Sequence, residues 1–330
     1  MVKISDVARD AGVSPSTVSY VLSGKRSISE ATRRRVLASV EALGYRPHAG
    51  ARALASSRSN VVALVLPLHA GIHVPIVMQI ATAIVTGARS FDHDVLLLTQ
   101  DEGVAGLHRV AGSAMVDAII VMDVSAQDVR LPVLRGLAQP SVLIGVPADT
   151  TGLACVDFDF AGAARSAVSH LAGLGHREVA LVGPPPEVFA RGTAFAPRTV
   201  SGFEAGIADA GLRGVVRSCD PAPESVRDLL KELLAERPGL SGLVVHNESA
   251  VPSVLDALAT SGRRVPDDVA VVAICPDELA VRTTPALTSV DIPADGIGAL
   301  AVELLMDKLN DRPVPGTTLL EPHVTRRAST

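Results

Sequence analysis

Seven short, uninterrupted apolar runs recur through residues 61–330 and constrain the fold of this chain more than any other feature. The runs are Val61–Leu66, Val95–Thr99, Ala118–Met122, Ser141–Val146, Glu178–Val182, Leu243–His246 and Val269–Ile274. Continuous runs of this length are typical of strands buried on both faces of a parallel sheet. Helical stretches such as Ala161–Leu174 and Glu224–Glu236 lie between them. The pattern therefore predicts an α/β fold with a parallel, doubly wound sheet and right-handed crossovers.

The body is too long for one simple sheet of this kind. With about 270 residues, we expect two lobes and a cleft at the strand ends, where ligands of such folds bind. Hydrophobic residues make up 48% of the chain but aromatic residues only 2%, with no Trp. The core must therefore be built mainly from Ala, Val, Leu and Ile.

Cysteine usage and hydropathy indicate a soluble, cytoplasmic protein that is not exported. Cys155, Cys219 and Cys275 lie far apart and form no CxxC pair, which favours a reducing compartment. The amino-terminal MVKISDVARD is charged from its start, and no apolar run reaches the about 18 residues of a membrane span. We expect no membrane partner.

Charge divides the chain into a basic head and an acidic body. Residues 1–60 hold ten Lys or Arg and four acids, a net charge of +6, whereas the remainder carries −11. A positively charged head is attracted to a polyanion, whereas the negatively charged body is repelled by it. The alternative is an ordinary fluctuation of charge between segments.

The head is predicted to contain three short helices, of which the first two form a helix-turn-helix. Gly12-Val13-Ser14 forms the turn between the first two, with Ser14 as N-cap and Pro15 at the first helical position of the second. Ser29 caps the third helix. Short hydroxyl side chains and Tyr20 on the second helix suit base edges, while Arg26 and Arg33–Arg35 suit phosphates. The candidate DNA-binding residues of the head are Ile4, Ser14, Pro15, Ser16, Thr17, Ser19, Tyr20, Lys25 and Arg26. A generic basic three-helix bundle is the competing interpretation.

The run DVARDAGVSPSTVSYVLSG, followed by TRRRVLASVEALGYRPHAGARALASSRSN, closely resembles the head of the lactose-repressor (LacI/GalR) family. The D-V-A-x-x-A-G-V-S-x-x-T-V-S pattern and the G-Y-x-P entry carry the match. The resemblance implies that PHAGARALAS is a hinge helix that folds on operator DNA. Leu54 then matches the residue that wedges into the minor groove, with Arg52 near phosphates. An ordinary interdomain contact is the alternative for Leu54.

The resemblance continues through the body. HLAGLGHREVALVG, DALATSGRRVPDDVAVVAI, PALTSVDIPADGIGALAVELL and VTRRAST resemble family landmarks and imply a type I periplasmic-binding-protein fold. The expected domains are a DNA-binding head at 1–46, a hinge helix and linker at 47–60, and an effector-binding and dimerisation body at 61–330. Lobe 1 is expected at about 61–158 and 291–316, and lobe 2 at about 159–290 and 317–330.

No enzyme motif competes with this interpretation. GxxxxGK[ST], HExxH and GxSxG are absent from the sequence, and the GxGxxA at 296–301 reads as a helix start. His69 and His73 have no third metal ligand nearby in the sequence, so they are interpreted as loop residues. Cys275 has no visible base partner that would make it a nucleophile. We expect no catalysis, no cofactor and no metal.

The sugar-binding positions of the family are altered in this chain. The relatives use an R-x-x-G-[FY] arginine, an N-D pair and a G-[FY]-D, all suited to hydroxyl groups. Here Arg198 lies four residues before Gly202, Glu248 follows Asn247, and Cys275 ends an Ala-Ile-Cys triplet. The ligand is left open between an unusual sugar or phosphosugar, another metabolite, and none. The candidate effector-binding residues are His73, Phe189, Arg198, Asn247 and Cys275.

The sequence thus predicts a homodimeric repressor that binds a palindromic double-stranded operator under control of a small-molecule effector. An activator or dual regulator with the same head remains open. A solute-binding protein would share the body but not the basic head.

Overall fold

The structure is a computed structural model that describes residues 2–23, 26–45, 58–69, 73–113 and 115–330. Three of the predicted DNA-binding residues, Lys25, Arg52 and Leu54, lie outside the described residues, as does the whole predicted hinge helix at 47–56.

The head contains three helices around a small core. They are α1 (Ile4–Asp10), α2 (Pro15–Ser23) and α3 (Glu30–Ala42). Ser14 caps α2, since its Oγ accepts a hydrogen bond from the Thr17 N–H at 3.1 Å. The turn before it requires a positive φ of 63° at Gly12. The buried apolar residues that hold the helices together are Val7, Ala8, Ala11, Val18, Val21, Val36 and Tyr45.

The body contains two six-stranded sheets, one in each lobe. In the first lobe the strand order is β11-β5-β4-β3-β1-β2, and every pairing is parallel. Its strands are β1 (Val61–Val65), β2 (Asp94–Leu98), β3 (Ala118–Val121), β4 (Ser141–Ile144), β5 (Ala154–Phe158) and β11 (Thr317–Leu320). The burial of β3 and β4 on both faces explains their continuous apolar runs.

The second sheet has the order β12-β10-β9-β8-β6-β7, with only the β10–β12 pair antiparallel. Its strands are β6 (Glu178–Gly183), β7 (Arg213–Ser218), β8 (Gly242–Val245), β9 (Ala270–Ile274), β10 (Thr288–Val290) and β12 (Val324–Thr325). The predicted doubly wound α/β fold is confirmed.

Helices cover both sheets. In the first lobe they are α4 (Val74–Ser90), α5 (Gly103–Gly112), α6 (Leu131–Gly136) and α13 (Ala294–Leu309). In the second they are α7 (Phe160–Gly173), α8 (Pro186–Ala190), α9 (Phe195–Ala210), α10 (Pro223–Glu236), α11 (Val251–Thr260) and α12 (Asp277–Val281), with a 3₁₀ turn at Glu248–Ala250. The main helix pairs are α4 with α13 and α7 with α9.

Glycines let these helix pairs approach closely. A Cβ on Gly298 of α13 would meet the Ile80 carbonyl of α4 at 2.8 Å, and one on Gly202 of α9 would collide with the Ala161 backbone of α7. The GxGxxA sequence is thus a helix-packing surface inside α13, within two residues of the helix start that the sequence indicated.

The chain crosses between lobes three times: after β5, after β10 and after β11. The first two crossings lie near the expected residues 159 and 291. The third differs, because Thr317–Leu320 pairs with β5 in the first sheet and only Val324–Thr325 joins the second. The return to lobe 2 therefore follows residue 320, not residue 316, since β11 completes the edge of the first sheet beside β5.

Candidate DNA-binding face and interlobe cavity

The amino-terminal end of α2 presents small polar side chains to solvent. Ser14, Pro15, Ser16 and Tyr20 are exposed, and Ser19 is half-buried. These are the positions at which a recognition helix contacts base edges.

Two other predicted residues of the head have structural partners. Thr17 is half-buried, and its hydroxyl lies 2.9 Å from Ser14 Oγ. Ile4 begins α1 and packs against the head core. The Arg26 guanidinium lies 5.6 Å from the centroid of the Tyr20 ring, a cation–π distance. Arg26 and Tyr20 thus form one exposed surface at the end of α2.

A cavity of ≈ 320 Å³ lies between the two lobes, at the carboxyl ends of strands from both sheets. This is the position at which open α/β sheets bind ligands. Aliphatic side chains from the first lobe form one wall, including Ile76, Ile80, Met122 and Ile144. Phe160, Phe195 and His246 contribute rings to the opposite side.

A short antiparallel bridge joins the lobes beside this cavity. Ser125, which follows β3, pairs with Thr193, which precedes α9. The flanking hydrogen bonds run from the Ala126 N–H to the Gly192 carbonyl at 2.8 Å and from the Ala194 N–H to the Val124 carbonyl at 3.0 Å. The main chain itself therefore holds the two lobes together here.

An ion pair crosses the same gap. Asp157 of β5 is buried and pairs with Arg198 of α9, which also donates to the Ala194 carbonyl at 3.1 Å. Burial raises the pKa of Asp157, and the neighbouring Arg198 guanidinium opposes that rise. Breaking this pair would leave a carboxylate in a site that water scarcely reaches.

Polar residues of both lobes also meet at the cavity rim. His73 Nδ1 lies 2.9 Å from Ser249 Oγ of the other lobe, and burial lowers the pKa of His73. Asp123 lies 3.4 Å from His69 Nε2 and 4.0 Å from Arg191 Nε. Burial raises the pKa of Asp123, while the nearby cations oppose the rise.

His246, directly after β8, is the most buried polar side chain of the cavity wall, with 2% of its surface exposed. Burial lowers its pKa to about 4, so the ring is neutral near pH 7. Its centroid lies 5.2 Å from the Phe160 ring and 5.7 Å from the Phe195 ring. Its Nδ1 has no hydrogen-bond partner within the described residues.

Glu248 lies two residues further on, in the 3₁₀ turn of the cavity wall. Burial raises its pKa to about 7. Near neutral pH this carboxyl group therefore exists in both protonation states, and it either donates or accepts a hydrogen bond.

The structure brings only part of the predicted effector-binding set to the cavity. His73 and Asn247 line it, whereas Arg198 lies behind the wall, bound to Asp157. Phe189 is half-buried in α8 and is not part of the wall. Cys275 is fully buried in the apolar core of lobe 2, where burial raises the pKa of its thiol. Its place at the aspartate of the relatives' G-[FY]-D triplet suggested the cleft, but its side chain packs into the core.

Sequence reasoning missed Asp123, Asp157, Phe160, Arg191 and His246, and it treated Glu248 only as a departure from a family pair. Asp123 directly follows one predicted run and His246 is the last residue of another, so their place at strand ends was a usable signal. Arg191 and Phe160 come from loops and helix starts, for which the sequence offers no such signal.

No helix in the described ranges is long and apolar enough to cross a membrane. Within those same ranges, no three His, Cys, Asp or Glu side chains cluster in a way that could hold a metal ion. All three cysteines are buried and free.

A basic head with an exposed recognition helix, joined to a two-lobed body with a cavity, defines a DNA-binding transcriptional regulator. Residues 3–48 match the model of "Bacterial regulatory proteins, lacI family", and residues 168–330 match that of "Periplasmic binding protein-like domain". The chain thus combines a DNA-binding domain of the LacI family with a periplasmic-binding-protein-like domain. The predicted family and the predicted DNA-binding regulatory function are confirmed.

Similar proteins share the full length of the chain. Catabolite control protein A of Priestia megaterium is 29% identical, with 98% of this chain and 97% of that protein covered. The HTH-type transcriptional regulator CelR of Thermobifida fusca is also 29% identical, over 98% and 96% of the two chains. The name of CelR is that of a transcriptional regulator.

Solved structures show the same architecture. A CelR–cellobiose complex has a TM-score of 0.69 at 27% identity and covers 100% of both chains. The Lac repressor dimer bound to operator and the anti-inducer ONPF has a TM-score of 0.84 at 24% identity, with 99% of this chain and 98% of that one covered.

Proposed function

We propose that this chain is a dimeric repressor that binds a palindromic operator. A small molecule in the interlobe cavity lowers or raises its affinity for that operator. The observation that carries the proposal is that cavity, whose walls come from both lobes. A ligand between two lobes has contacts that change with the angle between them, so it favours one arrangement. Through the hinge, that angle would set the spacing of two heads.

The exposed end of α2 supports the DNA-binding part of the proposal. Ser16, Ser19 and Tyr20 would contact base edges in the major groove, with Thr17 beside them. The three exposed arginines of α3, Arg33–Arg35, would contact phosphates. A protein bound to chromosomal DNA in this way acts in the cytoplasm.

An exposed apolar stripe on lobe 1 supports a homodimer. Val74, Met78 and Val85 lie on one face of α4 with 49%, 41% and 49% of their surfaces exposed, and Leu97 is exposed on the neighbouring edge strand β2. Such a stripe is typical of a subunit interface. Met78→Glu should therefore give monomers in sedimentation, whereas Val281→Glu, at an exposed valine of lobe 2, should not.

Selection of bound duplexes from a random pool tests the proposal. The full chain should enrich a palindrome, and Tyr20→Ala should change the enriched bases. Arg34→Ala serves as control, because loss of a phosphate contact weakens all duplexes alike and flattens the salt dependence. Enrichment of no palindrome, with or without metabolites, would refute the proposal.

The hinge supplies a second test. Leu54→Ala should weaken binding to the selected operator while sparing nonspecific DNA, because only the bent operator site accepts a minor-groove wedge. If the substitution weakens binding to operator and to nonspecific DNA equally, Leu54 does not act as a minor-groove wedge. A reporter carrying the selected operator within a promoter distinguishes a repressor from an activator.

A further inference from the structure

Two of the few aromatic residues of this chain line the cavity. The sequence holds six Phe, two Tyr and no Trp. Phe160 and Phe195 nevertheless lie on the same wall, with ring centroids 5.3 Å apart, and both contact the His246 ring. Three rings in one wall favour a ligand that is itself flat and aromatic, since ring pairs at these distances attract each other.

Apolar side chains of lobe 1 line the cavity beside the polar residues His73 and Asp123. Ile76, Ile80 and Ile144 of lobe 1 line the cavity together with the rings of lobe 2. An apolar ring inserted between these two walls would lose contact with water on both of its faces, which favours binding. The cavity of ≈ 320 Å³ lies at the small end of ligand pockets, about 300–1,000 Å³, and suits one or two rings.

The polar groups that would bind a sugar already have protein partners. Asn247 Nδ2 donates to the Gly183 carbonyl at 3.3 Å and to the Cys219 carbonyl at 2.7 Å. Arg198 is bound to Asp157. A sugar could use either of these two side chains only by breaking a bond that the structure already makes, and each hydrogen bond lost in this way weakens binding by about fivefold or more.

One polar atom of the wall is unsatisfied within the described residues. His246 Nδ1 is buried and has no hydrogen-bond partner, a state that costs free energy until a ligand group pairs with it. It lies within the ring wall, beside Phe160 and Phe195. A ligand there needs a flat apolar body and one hydrogen-bonding group at its edge.

We infer that the cavity binds a small one- or two-ring aromatic compound that places a single hydrogen-bonding group against His246 Nδ1, and that it rejects polyhydroxylated sugars. This inference rests on the proposed function, in which the cavity holds the effector.

Calorimetric titration of the full chain at pH 7.5 tests the inference with benzimidazole, indene, glucose and cellobiose. Benzimidazole carries both a donor and an acceptor, whereas indene has the same two-ring shape with neither. We expect both ring compounds to bind, benzimidazole about two- to tenfold more tightly because of one hydrogen bond. The His246→Phe variant keeps a ring in the wall and should bind the two compounds equally.

A pair of phenylalanine variants locates the binding. Phe160→Leu should weaken both ring compounds by about two- to tenfold, because one wall ring is lost. Phe203→Leu removes a fully buried ring outside the wall and should leave both affinities unchanged. The inference is overturned if a sugar binds and the ring compounds do not, if neither class binds, or if His246→Phe keeps the preference for benzimidazole.

Operator selection separates this inference from the proposed function. A chain that enriches a palindrome but binds no ring compound retains its regulatory function and loses only the assigned ligand class. A chain that enriches no palindrome loses the proposed function, whatever its cavity binds.

Discussion

His246 and Glu248 should make opposite contributions to the pH dependence of stability. His246 has its pKa lowered from 6.5 to about 4, so the folded state holds it neutral where the unfolded chain would protonate it. Its cost to stability is absent above about pH 6.5 and grows as the pH falls towards 4. Glu248 has its pKa raised from 4.5 to about 7, so its cost is absent at low pH and grows between about pH 4.5 and 7.

The magnitudes follow from about 1.4 kcal/mol per pH unit. At pH 5 the His246 cost is roughly 2 kcal/mol, and at pH 7.5 it is close to zero. His246→Phe should therefore increase the free energy of unfolding by roughly 2 kcal/mol more at pH 5 than at pH 7.5. Glu248→Gln should show the reverse, with a gain roughly 2 kcal/mol larger at pH 7.5 than at pH 5.

Urea unfolding at pH 5 and pH 7.5, followed by circular dichroism, measures both differences. Comparing each variant with the unmodified chain at the same pH cancels the contributions of all other titrating groups. His108→Phe, at an exposed histidine of α5, provides the matched control and should show no such difference. Variants at His246 and Glu248 whose effects are the same at both pH values would refute the role of burial in setting these pKa values.

Three further substitutions test the packing around the two sites. Ser14→Ala removes the N-cap of α2 and should destabilise the head by about 1 kcal/mol, measured as the thermal midpoint of a head fragment against a Ser16→Ala control. Arg198→Met leaves Asp157 buried without its cation and should cost roughly 3 kcal/mol in urea unfolding; Asp157→Asn added to it should recover part of that loss, and no recovery would contradict the ion-pair role. Gly202→Ala should destabilise lobe 2 by about 1–3 kcal/mol or more, because its Cβ meets the Ala161 backbone, whereas Gly173→Ala, in open space at the end of α7, should be tolerated in the same assay.

The strands that the sequence predicted are those whose apolar runs are continuous. No apolar run marks the other five strands, β5, β7, β10, β11 and β12. Asp157 interrupts the apolar pattern of β5, because that position faces the cavity and pairs with Arg198. The edge strand β7 is only half-buried and carries Arg213 and Arg217, so it lacks the run that marks a central strand.

The candidate site was harder to predict than the fold, because its chemistry depends on contacts between lobes. Asn247 was found from the N-D pair that the relatives place after a strand, but no local pattern shows that its amide is already bound to the Gly183 and Cys219 carbonyls. Cys275 also follows a strand, yet its side chain is in the core. Position along the chain places a residue near a cleft, but side-chain direction decides whether a ligand meets it.

The bridge between Ser125 and Thr193 has a consequence for how such a receptor diversifies. Peptide groups make this joint, and nearly every amino acid supplies the same peptide group. Successive replacements of wall residues can therefore alter which compound is bound while the joint keeps its register. The side chains that select the ligand and the peptide groups that join the lobes are therefore different parts of the molecule. A change of ligand specificity does not require a change in this bridge between the lobes.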